Sequence, residues 1–173
     1  MTAYAQLFNN TRAALSGEGA QSVVKFNAAS RGKAGLHREV KIRDFAIEVD
    51  EPPALGGTDR APNPVEYALA ALATCQEITY RLHADALGIP LRDVSVELEG
   101  EIDLRGFFAA APGVRPGFLG IKGSVRFDSP ASAEDLERLK LVVDAHCPVL
   151  DLFNNATPVQ IAIAEPVPVA AAA

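Results

Sequence analysis

Residues 63–87 read NPVEYALAALATCQEITYRLHADAL, a mostly apolar stretch that predicts one long helix. Asn63 as the N-cap, Pro64 in the first turn and Glu66 three residues after Asn63 form a typical helix start. Gly88 is a normal C-terminal signal for a helix. We therefore expect the chain to be organised around this helix.

The segments on either side of the long helix alternate between strand and helix patterns. Before it, we expect a short amphipathic helix over residues 2–16 and a meander of antiparallel strands over residues 21–29, 36–42 and 45–49, with a turn over 30–35. After it, we expect strands over 94–104 and 119–127, a helix from Ser132, a short turn over 149–153 and a last strand over 159–165. This order predicts an α+β fold.

Composition and charge exclude several classes of protein. The 173 residues are 49% hydrophobic and 22% charged, which is typical of a single soluble domain. The 16 basic and 22 acidic residues show no basic cluster, so no nucleic-acid partner is expected. No run approaches the ~20 apolar residues of a membrane span, and the N-terminus lacks a secretory signal. We expect a cytoplasmic protein with no membrane partner, in which cysteines are free, catalytic or redox-active.

Most known chemical motifs are also missing from the sequence. The three histidines share no ligand spacing and there is no CxxC, so a zinc site is not expected. The glycine-rich nucleotide loops and the G-x-S-x-G elbow are absent. We therefore expect no metal and no organic cofactor, and the two cysteines are the main candidates for chemistry.

Cys75 lies near the middle of the long helix, on the same stripe as Leu72 and Thr79. It is either a buried core cysteine or a reactive thiolate that attacks an electrophile such as a peroxide. Three turns into the helix, the field of the helix dipole has faded. A reactive Cys75 would therefore need an arginine from elsewhere in the molecule.

Cys147 continues the apolar face of the second helix and directly precedes Pro148. A cysteine oxidised to sulfenic acid needs a second thiol to capture it as a disulfide. Cys75 and Cys147 are therefore either an attacking and resolving pair or two unrelated core thiols.

The motif GG-x(5)-NPVEYALAALATC, followed later by HCPV, resembles the OsmC/Ohr superfamily of osmotically induced and organic hydroperoxide resistance proteins. The resemblance covers residues 23–165. It implies an OsmC-like fold: an intertwined homodimer with antiparallel sheets around long central helices and a site at the dimer interface. We therefore expect one OsmC-like domain over residues 20–166, preceded by a helical extension over 1–19 that lies outside the resemblance. The low-complexity sequence at the end of the chain predicts a disordered tail over 167–173.

In the peroxidase branches of this superfamily, the first cysteine reduces organic hydroperoxides and the second resolves it. Dithiols such as lipoylated proteins then reduce the disulfide. By this resemblance Cys75 is the peroxidatic cysteine and Cys147 the resolving one.

The sequence departs from the peroxidase pattern beside the reactive cysteine. Peroxidase members carry a glutamate ten residues before the reactive cysteine, and this chain has Val65 at that position. Its nearest glutamate, Glu66, lies nine residues before Cys75, as in a less characterised OsmC-like branch. At about 100° per residue, Glu66 points nearly opposite to Cys75. Because the two side chains lie on opposite sides of the helix, we favour a capping role for Glu66 over the alternative, a catalytic role.

Three further groups are candidates for the site. The superfamily's arginine corresponds either to Arg31, in the predicted turn, or to Arg38, on the following strand, although each is also a plausible surface charge. His146 either polarises Cys147 or bonds the free carbonyls that end its helix. The loop 106–118 carries phenylalanines that form either an apolar wall for a substrate or core and dimer contacts: Phe107, Phe108 and Phe118.

The sequence thus predicts a thiol-dependent peroxidase that reduces organic hydroperoxides in oxidative stress defence. The alternative is a dimer of the same fold that binds a small apolar or electrophilic ligand without turnover. A third possibility is that both thiols are structural and the protein serves only in association.

Overall fold

A single long helix, α2, organises the computed structural model, which describes residues 2–164. Besides a 3-10 turn at Pro53–Leu55, the elements in chain order are α1 (Ala3–Leu15), β1 (Ala29–Gly32), β2 (Arg38–Ile42), β3 (Phe45–Val49), α2 (Pro64–Leu87), β4 (Asp93–Ile102), α3 (Leu104–Phe107), β5 (Phe118–Asp128), α4 (Ala133–His146) and α5 (Pro148–Asn154). The strands form two antiparallel sheets, β1–β2–β3 and β4–β5. The predicted α+β fold is confirmed.

Helix α2 begins and ends as its sequence predicts. The Asn63 side chain accepts hydrogen bonds from the backbone N–H groups of Val65 and Glu66, and the Glu66 carboxylate accepts one from the backbone of Asn63 at 2.8 Å. This reciprocal capping box satisfies N–H groups that the first turn leaves without partners. At the other end Gly88 has φ 70°, a left-handed conformation that glycine adopts without steric cost.

Two strand predictions are wrong for the single chain. Residues 21–28 and 156–164 form no strand, and strand β1 starts only at Ala29, inside what was expected to be a turn. Their apolar side chains are almost fully exposed, with Phe26 at 90% and Ile161 at 93%. A strand forms only by pairing with another strand, and neither of these segments pairs with one in the single chain. Residues 165–173, including the predicted tail, lie outside the described range.

The predicted turn over residues 149–153 is also wrong, because these residues lie in helix α5. Pro148 stands at the first position of that helix, where its fixed φ suits helical geometry and its missing N–H is not needed. The same proline disfavours helical geometry at Cys147, which adopts an extended ψ of 111°. One proline thus ends α4 and starts α5.

The core lies where α2 and α4 pack against the β4–β5 sheet. Its fully buried members include Tyr80 and Ala84 on α2, Leu139 and Val143 on α4, and Cys147. Tyr80 meets the ring of Phe127 on β5 edge to face, with 5.1 Å between ring centroids.

Helix α1 packs separately on α2. Ala5 is buried there, and the ring of Phe8 meets the ring of His83 edge to face, with 4.9 Å between centroids. The side chain of Thr2 donates a hydrogen bond to Asp85, which fixes the first turn of α1 to the end of α2. No helix within residues 2–164 has the length and apolar character needed to cross a membrane.

Truncation of the α4 core residue tests this packing. We expect Leu139→Ala to lower the free energy of unfolding by about 2–5 kcal/mol, since it leaves a cavity at a fully buried site. Leu141→Ala, on the exposed side of the same helix, is the matched control and should change it by about 0.5 kcal/mol or less. Urea denaturation measures both values, and equal losses would contradict the described packing.

Candidate functional site

The two cysteines of the chain lie side by side. The Sγ atoms of Cys75 and Cys147 are 3.4 Å apart, although the residues are 72 positions apart in sequence. Cys75 comes from the middle of α2, and Cys147 from the interruption between α4 and α5 that Pro148 imposes. Both thiols are free in the structure. The site therefore contains a pair of reduced cysteines in direct contact.

The two thiols differ in exposure, and burial changes the pKa of the Cys147 thiol. Cys147 is 1% exposed, whereas Cys75 is only half-buried. Burial raises the pKa of the Cys147 thiol, and contact with Cys75 adds to this shift, while the backbone N–H groups of Leu150 and Val149 oppose it. Cys147 accordingly keeps its proton at neutral pH and donates it to the sulfur of Cys75 in a hydrogen bond.

A cavity of about 490 Å³ opens at the exposed side of Cys75. Its other lining residues come from α2 and from the junction of α4 and α5: Ala71, Thr74, Ile78, Thr79, Leu82, His83, His146 and Pro148. The lining is mainly apolar, and the hydroxyl of Thr79 is already used in a bond to the carbonyl of Cys75 at 2.7 Å. A small apolar reagent can therefore reach Cys75 from this side.

Two histidines line this cavity, and one of them, His83, is not among the site residues that the sequence predicts. The rings of His83 and His146 are 5.2 Å apart between centroids. Burial and the neighbouring His146 both lower the pKa of His83. The signal that could have found His83 is its spacing, since Cys75, Thr79 and His83 follow each other at four-residue steps on one helix face.

His146 is held at the end of α4 by its own helix. Its Nδ1 lies 2.7 Å from the carbonyl oxygen of Val142, which can only accept, so Nδ1 carries the proton. His146 thus bonds a carbonyl of the last helical turn, which is one of the two roles that the sequence predicts for it.

The predicted arginines are engaged elsewhere in the single chain. Arg31 forms an ion pair with Glu39, and its Nε lies 2.9 Å from that carboxylate. Nη1 of Arg38 donates to the carbonyls of Gly35 and His37, each at 2.9 Å. Neither arginine lines the cavity at Cys75. Activation of Cys75 by either one stays a prediction.

Glu66 and the phenylalanines of the 106–118 loop also lie away from the thiols. Glu66 is held in the capping box at the start of α2, and a catalytic role for it stays a prediction. Phe107 and Phe108 form an exposed edge-to-face pair. The ring of Phe118 is tilted against that of Phe153, with 6.2 Å between centroids. None of the three rings lines the cavity at Cys75.

The described residues offer no cluster of metal ligands. Between residues 2 and 164, no three side chains of His, Cys, Asp or Glu are grouped so that they could hold a metal ion. The chemistry available at this site is that of the thiol pair: nucleophilic attack by Cys75 and capture of its oxidised form by Cys147.

Comparison with known proteins identifies similar sequences and folds. The family described as "OsmC-like protein" matches residues 57–162, more than half of the chain. No curated protein matches it. An OsmC-like protein from Mycoplasma pneumoniae is similar in structure, with a TM-score of 0.64 and 18% identity over 76% of this chain and 88% of that one.

Two similar structures are described as organic hydroperoxide resistance proteins. The one from Legionella pneumophila has a TM-score of 0.61 and 25% identity, covering 77% of this chain and 91% of its own. The one from Elizabethkingia anophelis has a TM-score of 0.57 and 20% identity, covering 76% of this chain and 89% of its own. The match to the latter shows a common fold.

The unequal exposure of the two thiols predicts unequal alkylation. With iodoacetamide at neutral pH, we expect Cys75 to react at least about tenfold faster than Cys147, because Cys147 is buried and its pKa is raised. Peptide mass spectrometry of a time course measures both rates. In urea the two rates should converge. Preferential labelling of Cys147 in the native protein would contradict the described geometry.

Proposed function

Because the chain belongs to the OsmC-like protein family, we propose that it is a thiol-dependent peroxidase that reduces organic hydroperoxides in oxidative stress defence. The observation that carries the proposal is the 3.4 Å contact between the sulfurs of Cys75 and Cys147. A disulfide has an S–S length of about 2.0 Å, so the sulfurs need to approach by only about 1.4 Å. Similar structures described as organic hydroperoxide resistance proteins support the choice of substrate.

The first step oxidises Cys75. Its thiolate attacks the distal oxygen of the hydroperoxide and the O–O bond breaks, which gives a sulfenic acid and an alkoxide that takes up a proton to leave as an alcohol. Sulfur loses two electrons and the peroxide gains them. The half-exposed position of Cys75 beside the apolar cavity suits it to this step.

The second step closes the disulfide. The sulfur of Cys147 attacks the sulfenic sulfur of Cys75, and the hydroxyl leaves as water with the proton that Cys147 gives up. Because Cys147 is buried, it is shielded from the hydroperoxide and reacts only with its neighbour. An external dithiol, such as a lipoylated protein, then reduces the disulfide to two thiols. Such recycling suits a reducing compartment, so we place the protein in the cytoplasm.

The proposed assembly is an intertwined homodimer. Two segments with strand-like sequences, residues 21–28 and 156–164, have apolar side chains exposed to solvent in the single chain. Pairing with strand edges of a second copy would bury these side chains and satisfy their backbone groups. The sheet β1–β2–β3 would then lie against the partner, so that Arg31 or Arg38 could reach the partner's thiol. We assign residues 20–166 to this domain and residues 1–19 to a helical extension.

The alternative function is binding without turnover. This alternative is favoured by two observations. The chain has Val65 at the usual glutamate position, and Glu66 is engaged in the capping box, so neither position offers the thiol a carboxylate. The same apolar cavity would hold a small apolar or electrophilic ligand. A purely structural role for the thiols is the remaining alternative.

Oxidation kinetics test the proposed reaction. Mixing the reduced protein with cumene hydroperoxide in a stopped-flow instrument should consume both thiols at least about 100-fold faster than free cysteine is consumed, because the proposed reaction requires an activated thiolate. Mass spectrometry should then show a Cys75–Cys147 disulfide. Cys75→Ser should abolish the reaction, and Cys147→Ser should stop it at the sulfenic acid. Reactivity of the wild-type protein no greater than that of free cysteine would rule out the peroxidase.

Solution mass tests the proposed dimer. We expect sedimentation to give twice the mass of the 173-residue chain, and Ile161→Asp to shift it toward the monomer, because the aspartate puts a charge where a strand should be buried. Glu134→Asp, a conservative change at the exposed start of α4, is a control that should remain dimeric. A wild-type monomer at micromolar concentration would contradict the assembly.

A further inference from the structure

The hydroxyl group of Tyr80 is buried in the core without a hydrogen-bond partner. Tyr80 is fully buried, and no group within residues 2–164 forms a hydrogen bond with its hydroxyl oxygen. The ring packs against the ring of Phe127, with 5.1 Å between centroids. A buried donor without a partner lowers stability, because it has lost its bond to water and gained none in the protein. A redox or catalytic role is one of the recognised reasons for such a group in a folded core.

This hydroxyl lies in the part of the core that contains Cys147. Tyr80 and Cys147 are members of one buried cluster, together with Leu139 and Val143. Burial raises the pKa of Tyr80, and the negative charges of Asp144 and of a Cys147 thiolate raise it further. Tyr80 therefore keeps its proton as a donor, and its hydroxyl lies within electrostatic range of the Cys147 sulfur.

The other neighbours of the hydroxyl are less suited to accept its proton. The carboxylate of Asp144 already forms an ion pair with Lys140. A cavity of about 790 Å³ has Tyr80 in its lining, but the hydroxyl oxygen itself is closed to solvent. The sulfur of Cys147 becomes a strong acceptor when it loses its proton. The missing partner of Tyr80 can therefore arise from a change in the charge of Cys147.

The proposed cycle places a negative charge on Cys147 twice. Cys147 loses its proton as its sulfur attacks Cys75, and it leaves as a thiolate when an external thiol attacks the disulfide at Cys75. Both events take place in a core where burial raises the pKa of Cys147. The backbone N–H groups of Leu150 and Val149 favour the charge, and a phenol hydroxyl would add a third donor.

We propose that the Tyr80 hydroxyl donates a hydrogen bond to the sulfur of Cys147 whenever that sulfur carries negative charge, and so speeds both closure and reduction of the Cys75–Cys147 disulfide. The place of this bond in a catalytic cycle rests on the proposed function, whereas exchange with any small thiol would reveal the bond itself. In the reduced protein Cys147 keeps its proton and the hydroxyl has no partner. The hydroxyl therefore lowers the stability of the reduced protein and lowers the barrier to disulfide exchange.

Exchange with mercaptoethanol measures this effect without a peroxide. Its thiolate attacks the sulfur of Cys75 in the oxidised protein, a new S–S bond forms, and Cys147 leaves as a thiolate that then takes up a proton. A second mercaptoethanol attacks the mixed disulfide, which releases Cys75 and the disulfide of mercaptoethanol. That disulfide closes the Cys75–Cys147 bond in the reverse direction. Acid quenching and intact-mass spectrometry give the two rates and their ratio.

The Tyr80→Phe variant removes the hydroxyl and keeps the ring. We expect it to slow disulfide reduction and disulfide closure equally, by about tenfold, because a hydrogen bond to a developing charge is lost. The equilibrium between oxidised and reduced protein should not change, since neither end state has the bond. The urea midpoint of the reduced variant should equal that of the wild type or exceed it, because the hydroxyl has no partner to lose. Tyr4→Phe, at an exposed tyrosine of α1, is the matched control and should leave all three quantities unchanged.

Other results would overturn the role of Tyr80. Wild-type exchange rates in Tyr80→Phe would show that the hydroxyl does not meet the thiolate. A lower urea midpoint would show that the hydroxyl already has a partner in the reduced protein, and slowing in one direction alone would show a change in an end state. A wild-type protein that forms no Cys75–Cys147 disulfide would overturn both this role and the proposed cycle. Inertness to cumene hydroperoxide together with the tenfold effect on exchange would remove the peroxidase and confirm the role of Tyr80.

Discussion

The dipeptide Cys147–Pro148 is the constraint on which the site depends. Proline disfavours helical geometry in the residue before it, so α4 stops at His146 and the backbone at Cys147 becomes extended. The same proline begins α5, and the change of direction leaves Cys147 against α2 with its sulfur 3.4 Å from that of Cys75. The contact between the thiols thus follows from a local backbone rule acting inside a packed core.

The core gives the two thiols different properties. Cys147 belongs to the buried cluster around Tyr80, Leu139 and Val143, and burial there raises its pKa. The same low polarity also raises the pKa of Tyr80, with further contributions from Asp144 and Cys147, so this region disfavours negative charge. Cys75 faces the cavity instead. Reagents from solvent therefore reach Cys75 and not the buried Cys147.

The sequence predicted well whatever depends on local rules. The limits of α2, its capping box at Asn63 and its glycine C-cap follow from residues within one or two turns, and the structure has each of them. The pairing of Cys75 with Cys147 was suggested by apolar periodicity and by resemblance, and the structure places the two in contact. The role of His83 beside the cavity was missed, because helical spacing alone does not show which residue of α4 packs opposite.

The sequence failed where a predicted strand or site residue has no matching neighbour among the described residues. Residues 21–28 and 159–164 have strand-like patterns but pair with no strand in the single chain, so their apolar side chains stay exposed. Neither of the arginines expected at Cys75 lines its cavity in the single chain, since Arg31 and Arg38 both lie on the sheet β1–β2–β3. That sheet meets the first turn of α2, where the Tyr67 hydroxyl donates a hydrogen bond to the carbonyl of Glu48 at 2.7 Å.

These two gaps have one physical explanation under the proposed dimer. A second copy that supplies strand edges for the exposed segments would bring its own β1–β2–β3 sheet with them. The positive charge of Arg31 or Arg38 would then arrive from the partner, where a thiolate at Cys75 requires a cation. The strands would then pair and the arginine would reach Cys75 in the same dimerisation step. A substitution that prevents strand pairing should therefore also slow oxidation of Cys75, even though it lies far from the thiols in the chain.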